Sequence, residues 1–346
     1  LASPSVAAEY WHRLDDGRIQ CDLCPRACRL RDGQRGFCFV RAREGEEMVL
    51  PGYGRSSGIC VDPIEKKPLH HFLPGSAVLS FGTIGCNLNC RFCQNWSISK
   101  SDRLEHLTET AAPEEIAAVA ERLGCAGVAF TYNEPAVFLE YALATAEACR
   151  AHGLATVAVS AGYLCERPRR DLFAHLDAAN IDLKALDDDF YRRYCGGRLQ
   201  PVLETLEYAA KETDVWLEVT NLVIPGLNDS DGDVDRLSAW MVDRLGRDVP
   251  LHLSAFHPDH RLLDRPPTPL ETLRRARTIA LENGLRHVYT GNVRDPEGAT
   301  TFCPSCARPV IERRGYRIES YRLDREGLCE HCGEPIAGFF RFSDQG

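Results

Sequence analysis

From residue 78 onward, short apolar runs rich in β-branched side chains alternate with longer stretches whose apolar positions recur every three or four residues. The first pattern suits a buried strand and the second one face of a helix. Their alternation predicts an α/β fold of repeated βα units on a mostly parallel sheet. Strands are expected at residues 78–81, 127–132, 156–160, 180–183, 215–219 and 251–255, with 287–289 as a candidate seventh. The helix expected at 113–123 puts Ile116, Val119, Ala120 and Leu123 on one face, with Pro113 in its first turn and Gly124 just past its end.

Two cysteine-rich flanks interrupt this pattern. The first reads Cys21-x2-Cys24-x3-Cys28-x9-Cys38, with Gly33 and Gly36 allowing a sharp return of the chain. The second holds the knuckles Cys303-x2-Cys306 and Cys329-x2-Cys332, separated by 22 residues, with strands of a small ribbon expected at 309–311 and 316–321. The chain is therefore divided into an N-terminal cysteine-rich module (1–60), a central α/β unit (61–300) and a C-terminal module (301–346). Paired knuckles suggest a zinc ribbon or rubredoxin-like fold, with zinc or iron as the metal. For the N-terminal quartet the readings are zinc and an auxiliary iron-sulfur cluster.

With 346 residues, 44% of them hydrophobic, the chain can bury a full core. No run approaches the roughly 18 apolar residues of a membrane span, and no basic stretch followed by an apolar one opens the sequence. A first residue of Leu rather than Met leaves room for a removed segment. The net charge of -9 argues against general nucleic-acid binding. Residues 21–43 nevertheless carry six Arg against two Asp, a basic patch for an acidic partner or a solvated face. Of 16 cysteines, 11 sit in three compact metal-type groups, which argues for a reducing, cytoplasmic setting rather than a disulfide scaffold.

The third group is the most specific. Residues 85–95 read Gly-Cys-Asn-Leu-Asn-Cys-Arg-Phe-Cys-Gln-Asn, so Cys86, Cys90 and Cys93 lie in one loop directly after the first strand. A closed zinc or iron-sulfur site takes four protein ligands, and a triad leaves one metal position open. In a 4Fe-4S cluster that position is one iron. S-adenosylmethionine can chelate it, and an electron then cleaves the sulfonium to a 5'-deoxyadenosyl radical. A three-cysteine zinc site or an incidental cluster is the plainer alternative. Other polar motifs also fall at strand ends: Asn133-Glu134 after the second, Ser160 after the third, Asp182-Leu183-Lys184 after the fourth and His257 after the sixth. A barrel-type enzyme collects its catalytic residues there.

The triad spacing resembles the radical S-adenosylmethionine signature. Tyr132-Asn133-Glu134-Pro135 and Asp182-Leu183-Lys184 resemble the pyruvate formate-lyase activating enzyme branch. Residues 62–69 (Asp-Pro-Ile-Glu-Lys-Lys-Pro-Leu), the Cys93-Gln94-Asn95-Trp96 continuation and the terminal cysteine pairs are similar to the AmmeMemoRadiSam system radical SAM enzyme. The resemblance implies a partial (β/α)6 TIM-type barrel and the cofactors 4Fe-4S and S-adenosylmethionine. Glu134, beside Asn133, would accept from the cofactor's ammonium group, and Asp182 and Lys184 would contact its carboxylate region. Ser160 falls where the branch has a second cation-binding Asp. Asn221, in the segment 220–228, would lie along the nucleoside, and His257 near the ribose. Implied partners are a flavodoxin- or ferredoxin-type electron donor and Memo-like and Ammecr-like proteins. The implied reaction is hydrogen abstraction from a peptide, protein or small molecule, with glycyl-radical-enzyme activation as the alternative. The rival class is a non-redox zinc protein, either a scaffold or a hydrolase, although no His-x-Glu segment of the deaminase type precedes the triad.

Overall fold

In a computed structural model of the chain, the described residues are 5–340 apart from 104, 106 and 108. Residues 1–4 and 341–346, the ends of the two flanking modules, lie outside them. The centre is one eight-stranded sheet: β1 (Gly58–Pro63), β2 (Ala77–Gly82), β3 (Gly127–Phe130), β4 (Ala155–Ser160), β5 (Ala178–Asp182), β6 (Trp216–Val223), β7 (Leu251–Ala255) and β8 (Val288–Gly291). The strands are neighbours in chain order, all parallel except that β1 runs antiparallel on the edge of β2. Helices α1 (Pro113–Arg122), α2 (Leu139–Ala151), α3 (Glu166–Phe173), α4 (Gln200–Glu212), α5 (Asp231–Arg244) and α6 (Leu270–Glu282) each follow one of the strands β2–β7. Six βα units and the seventh parallel strand are thus present. One cavity is lined from the loop after β2 to Asn292 after β8. Seven strands laid flat at about 4.8 Å spacing would hold these groups nearly 30 Å apart, so the sheet must curl.

Several expected boundaries differ, among them β3, which ends at Phe130 rather than 132, and β5, which spans Ala178–Asp182 rather than 180–183. β6 runs to Val223 rather than 219 because Thr220–Val223 pair in register with His252–Ala255, and the polar Thr220-Asn221 pair hid this in the sequence. α1 ends at Arg122, because Gly124 turns the chain at φ +67°; Leu123 is exposed and Ala117 takes its place on the buried face beside Ile116 and Ala120.

The N-terminal residues form two small antiparallel sheets, one of Val6–Ala7, Ala42–Glu44 and Glu47–Leu50, the other of Trp11–Arg13, Ile19–Cys21 and Arg29–Leu30. Their buried Ile19, Leu23, Val40 and Leu50 join Leu79, Phe81 and Ile84 in a single core. A boundary at residue 60 would cut through β1. The basic stretch at 21–43 is mostly consumed by structure. Arg41 is fully buried and paired with Glu140 at 2.8 and 2.9 Å, Arg43 donates to the carbonyls of Gly45 and Gly17, and Arg26 donates to those of Asn87 and Gly196.

At the other end, Thr301–Phe302, Pro309–Arg314 and Arg317–Tyr321 form an antiparallel sheet over its own small core of Val310, Ile311, Leu323, Ile336 and Phe340. A buried polar layer ties it to the main sheet. Glu218 on β6 accepts from the backbone N–H groups of His70 (3.0 Å) and His71 (2.8 Å) and pairs with His252 at 2.5 Å. His71 bridges the Ala337 carbonyl and the Tyr289 hydroxyl, and Arg313 donates to the His70 carbonyl at 2.7 Å. Among the described residues, no helix is long and apolar enough to cross a membrane.

Candidate active site

The C-terminal ends of the parallel strands open into a cavity of about 260 Å³ lined by Cys86, Cys90, Cys93, Asn133, Glu134, Ser160, Asp182 and Lys184, with Thr220, Leu222, Ser254 and Asn292. A larger groove of about 890 Å³ lies between Phe72, Phe173, Tyr208 and Phe339. It gathers no cysteine or histidine, so the chemistry points to the smaller cavity.

The triad loop is held from several sides. Asn133 Oδ1 accepts from Thr83 N at 2.8 Å, and its Nδ2 donates to the carbonyls of Ile84 (2.9 Å) and Gly85 (3.0 Å). Asn87 Nδ2 donates to the Tyr163 carbonyl at 2.8 Å. A single turn of π-helix, Tyr191–Cys195, supplies carbonyls to the loop: Asn89 N donates to Cys195 and Arg91 N to Tyr194, both at 2.8 Å. Asn133 is therefore a brace of the cysteine loop as well as a wall of the cavity.

The three thiols differ. Burial pushes Cys86 up to about 12 and raises Cys93, whereas a hydrogen bond from Cys195 brings Cys90 down to about 7. Cys195, before Gly196-Gly197, is open from sequence to two readings, a substrate-facing thiol or a buried residue; it is fully buried, a fourth thiol beside the triad in the irregular turn Tyr191–Cys195. Thiolates disfavoured by burial become stable when they bind a metal. The donor set fits an iron-sulfur cluster better than one zinc ion. Tetrahedral zinc at 2.3 Å from each sulfur requires thiolates about 3.8 Å apart, yet among the described residues no three of the loop's thiols lie within 4.8 Å of one another.

Around them, Glu134 is 4% exposed. Its carboxylate accepts from Ser160 Oγ (2.6 Å), Ala136 N (3.1 Å) and Ala161 N (2.8 Å). Burial raises its pKa, against the hydrogen bond from Ser160. A carboxylate offers about four acceptor positions, so one remains for the cavity. Ser160 positions Glu134 instead of facing a ligand alone. Lys184 Nζ donates to Asp182 Oδ2 at 2.9 Å. Burial acts to lower the Lys184 pKa, but the charges of Asp182, Cys90 and Cys195 outweigh it and hold the ammonium well above the ordinary lysine range.

Two expected residues are not brought here. Asn221 points to the other side of β6, donating to the Leu183 carbonyl at 2.7 Å, while its neighbours Thr220 and Leu222 line the cavity. His257 is exposed beyond the end of β7, where Phe256 takes the buried position. A residue the sequence left without a role is Tyr132. At φ +70° it occupies backbone space that favours glycine, and its hydroxyl donates to Asp62 at 2.7 Å. Asp62 also accepts from Lys66 and Lys67, at 2.7 and 2.6 Å. Burial opposes ionisation of Asp62, and these three donors overcome it. The 62–69 motif thus braces the chain on which Glu134 sits.

The family model described as the radical SAM superfamily matches residues 81–237, from the end of β2 into α5. An uncharacterised protein of Methanocaldococcus jannaschii is 43% identical over 330 residues, covering 95% of this chain and 98% of its own. Residues 81–237 belong to the radical SAM superfamily. The pyruvate formate-lyase-activating enzyme of Clostridium pasteurianum is 24% identical over 157 residues, 44% of this chain and 65% of that enzyme. Among solved structures, a radical SAM methyltransferase from Sphaerobacter thermophilus is similar at a TM-score of 0.49 and 15% identity, covering 89% of this chain and 81% of that one. A domain of pyruvate-formate lyase-activating enzyme from Bacteroides vulgatus gives a TM-score of 0.41 at 21% identity, covering 48% and 99%. Membership implies a 4Fe-4S cluster, S-adenosylmethionine and an electron donor, and it displaces the non-redox zinc scaffold as an account of the triad.

Proposed function

We propose that this chain is an enzyme that uses S-adenosylmethionine to abstract hydrogen from a peptide, protein or small-molecule substrate. The observation that carries the reading is the convergence of three thiols, a caged carboxylate and an ammonium–carboxylate pair on one cavity at the parallel strand ends. Cys86, Cys90 and Cys93 would hold a 4Fe-4S cluster, which when bound would supply the electron for reductive cleavage of S-adenosylmethionine. Glu134 accepts a hydrogen bond from the cofactor's ammonium group with its remaining lone pair, Ser160 fixes that carboxylate, and Lys184 with Asp182 contacts the carboxylate end. Thr220 and Leu222 take the place along the nucleoside expected for Asn221. Asn133 keeps the cysteine loop in register.

The sheet is read as a partial (β/α)6 TIM-type barrel. The C-terminal quartet is read as a zinc site, supported by Cys303–Cys332 and Cys306–Cys329 sulfur separations of 3.6 and 3.8 Å, which match the edge of a tetrahedral thiolate site. Electrons would come from a flavodoxin- or ferredoxin-type donor in the cytoplasm. The AmmeMemoRadiSam resemblance supports Memo-like and Ammecr-like partners. A second reading, activation of a glycyl radical enzyme, is favoured by the Clostridium pasteurianum relative and would be revealed by a protein glycyl radical signal on a partner. Anaerobic iron and sulfide analysis with a reductive S-adenosylmethionine cleavage assay tests the main reading: 5'-deoxyadenosine formed in proportion to iron supports it, and iron-loaded protein that forms none opposes it.

A further inference from the structure

The N-terminal quartet converges without forming a zinc-sized site. A Cβ built on Gly36 would sit 3.8 Å from both the Cys28 and Cys38 sulfurs, and Cys24 lies within electrostatic reach of Cys21, Cys28 and Cys38. Phe37 N–H donates to the Cys28 sulfur at 3.4 Å, and the backbone at Leu23, at Arg26 and at Val40–Arg41 favours the charged forms of Cys21, Cys24 and Cys38. Among the described residues, however, no three of these thiols lie within 4.8 Å of one another, whereas the C-terminal four all do. One chain thus holds two four-thiol sites of different sizes. A mononuclear site demands the smaller, and a cluster carrying each thiolate on its own iron demands the larger.

A second observation points to an anionic occupant. Arg41 is fully buried; its two terminal nitrogens are engaged by Glu140 and the Glu9 carbonyl, but its Nε has no partner. The Arg41 backbone borders the thiols, its carbonyl oxygen lying 3.6 Å from the same Gly36 Cβ position, and an anionic occupant would supply the acceptor that Nε lacks. The site also abuts the triad loop. Gly85, at φ +82°, packs so closely on the Cys38 carbonyl that a Cβ there would collide with it, and Arg26 Nε donates to the Asn87 carbonyl at 2.8 Å.

We propose that Cys21, Cys24, Cys28 and Cys38 hold a second four-iron cluster, closed by four thiolates and seated against the loop of the first. The test uses the full chain with Cys86, Cys90 and Cys93 all replaced by Ala, reconstituted anaerobically with iron and sulfide and desalted. The expected product retains about four iron and four sulfide per chain, with about one zinc from the C-terminal site. Adding Cys24→Ala to that background removes the iron and leaves the zinc. Iron at background in the triad-free protein, with or without a second zinc, overturns the proposal. Should the variants fail to fold, the parent decides: about eight iron and one zinc per chain supports the second cluster, and about four iron overturns it. Because the triad is absent from the first protein, its result does not depend on whether the triad cleaves S-adenosylmethionine.

Discussion

Glu134 and Asn133 are adjacent, line the same cavity and have separable consequences. Glu134→Gln removes the charge facing the cofactor's ammonium group. A charge-assisted hydrogen bond is worth roughly 1.5 to 3 kcal/mol, so affinity for S-adenosylmethionine should fall about 10- to 150-fold, with iron content unchanged. Asn133→Ala instead strands Thr83 N and the Gly85 carbonyl inside the protein and leaves the Ile84 carbonyl with the Thr83 hydroxyl alone. It should cost about 3 kcal/mol in stability and lower iron retention before cofactor affinity is considered. Parallel titrations of cofactor binding and iron per chain separate the two, and equal iron loss in both variants would refute the division of labour. The acids and thiols of the cavity were legible in the sequence because residue type and strand-end position agree. The phase of β6 was not. Thr220 pairs with Asp182 and therefore shares its face, which turns Asn221 away, but that register is set by the neighbouring strand and is invisible in one segment read alone.

At the scale of elements, the parallel strands, the helix at 113–123 and the general βα alternation were readable because their periods are strong, while the polar layer below the cavity was not, since it comes from residues scattered over 70–337. Its histidines make a pH prediction. Burial is the largest cause lowering His71, which reaches about 4, and it also takes His70 and His287, whose ring lies 4.4 Å from that of His71, well below the ordinary range. The unfolded chain binds protons at these groups near pH 6.5, whereas the folded one resists. Their contribution is therefore fully present above pH 6.5 and is lost as pH falls towards 4. For His71 the loss is about 3 kcal/mol. Urea midpoints measured from pH 7 to 4.5 should fall steeply in the parent and less so in His71→Gln, which retains a donor for the Ala337 carbonyl and an acceptor for Tyr289. Identical pH profiles would mean that His71 is not buried neutral. In the C-terminal ribbon, Cys306→Ser should reduce bound zinc from about one per chain to near none and loosen the module, leaving triad iron intact; undiminished zinc would rule out the four-thiolate site.

For the whole molecule, the structure joins three cysteine groups to one sheet in different ways. The N-terminal module shares the sheet's core and touches the triad loop through Gly85, whereas the C-terminal ribbon keeps its own core beneath the far end. Sequence spacing separated the three groups, but it could not tell which shares a core with the sheet, because Ile19 and Leu79 join one core only after folding. The central claim is that the cavity at the strand ends cleaves S-adenosylmethionine through its cysteine loop. The most direct measurement is 5'-deoxyadenosine formation, under anaerobic reducing conditions, by the reconstituted parent and by Cys90→Ala. The account predicts 5'-deoxyadenosine from the parent and none above background from Cys90→Ala, with the variant still folded by circular dichroism; undiminished cleavage by Cys90→Ala, or none by an iron-loaded parent, would contradict it.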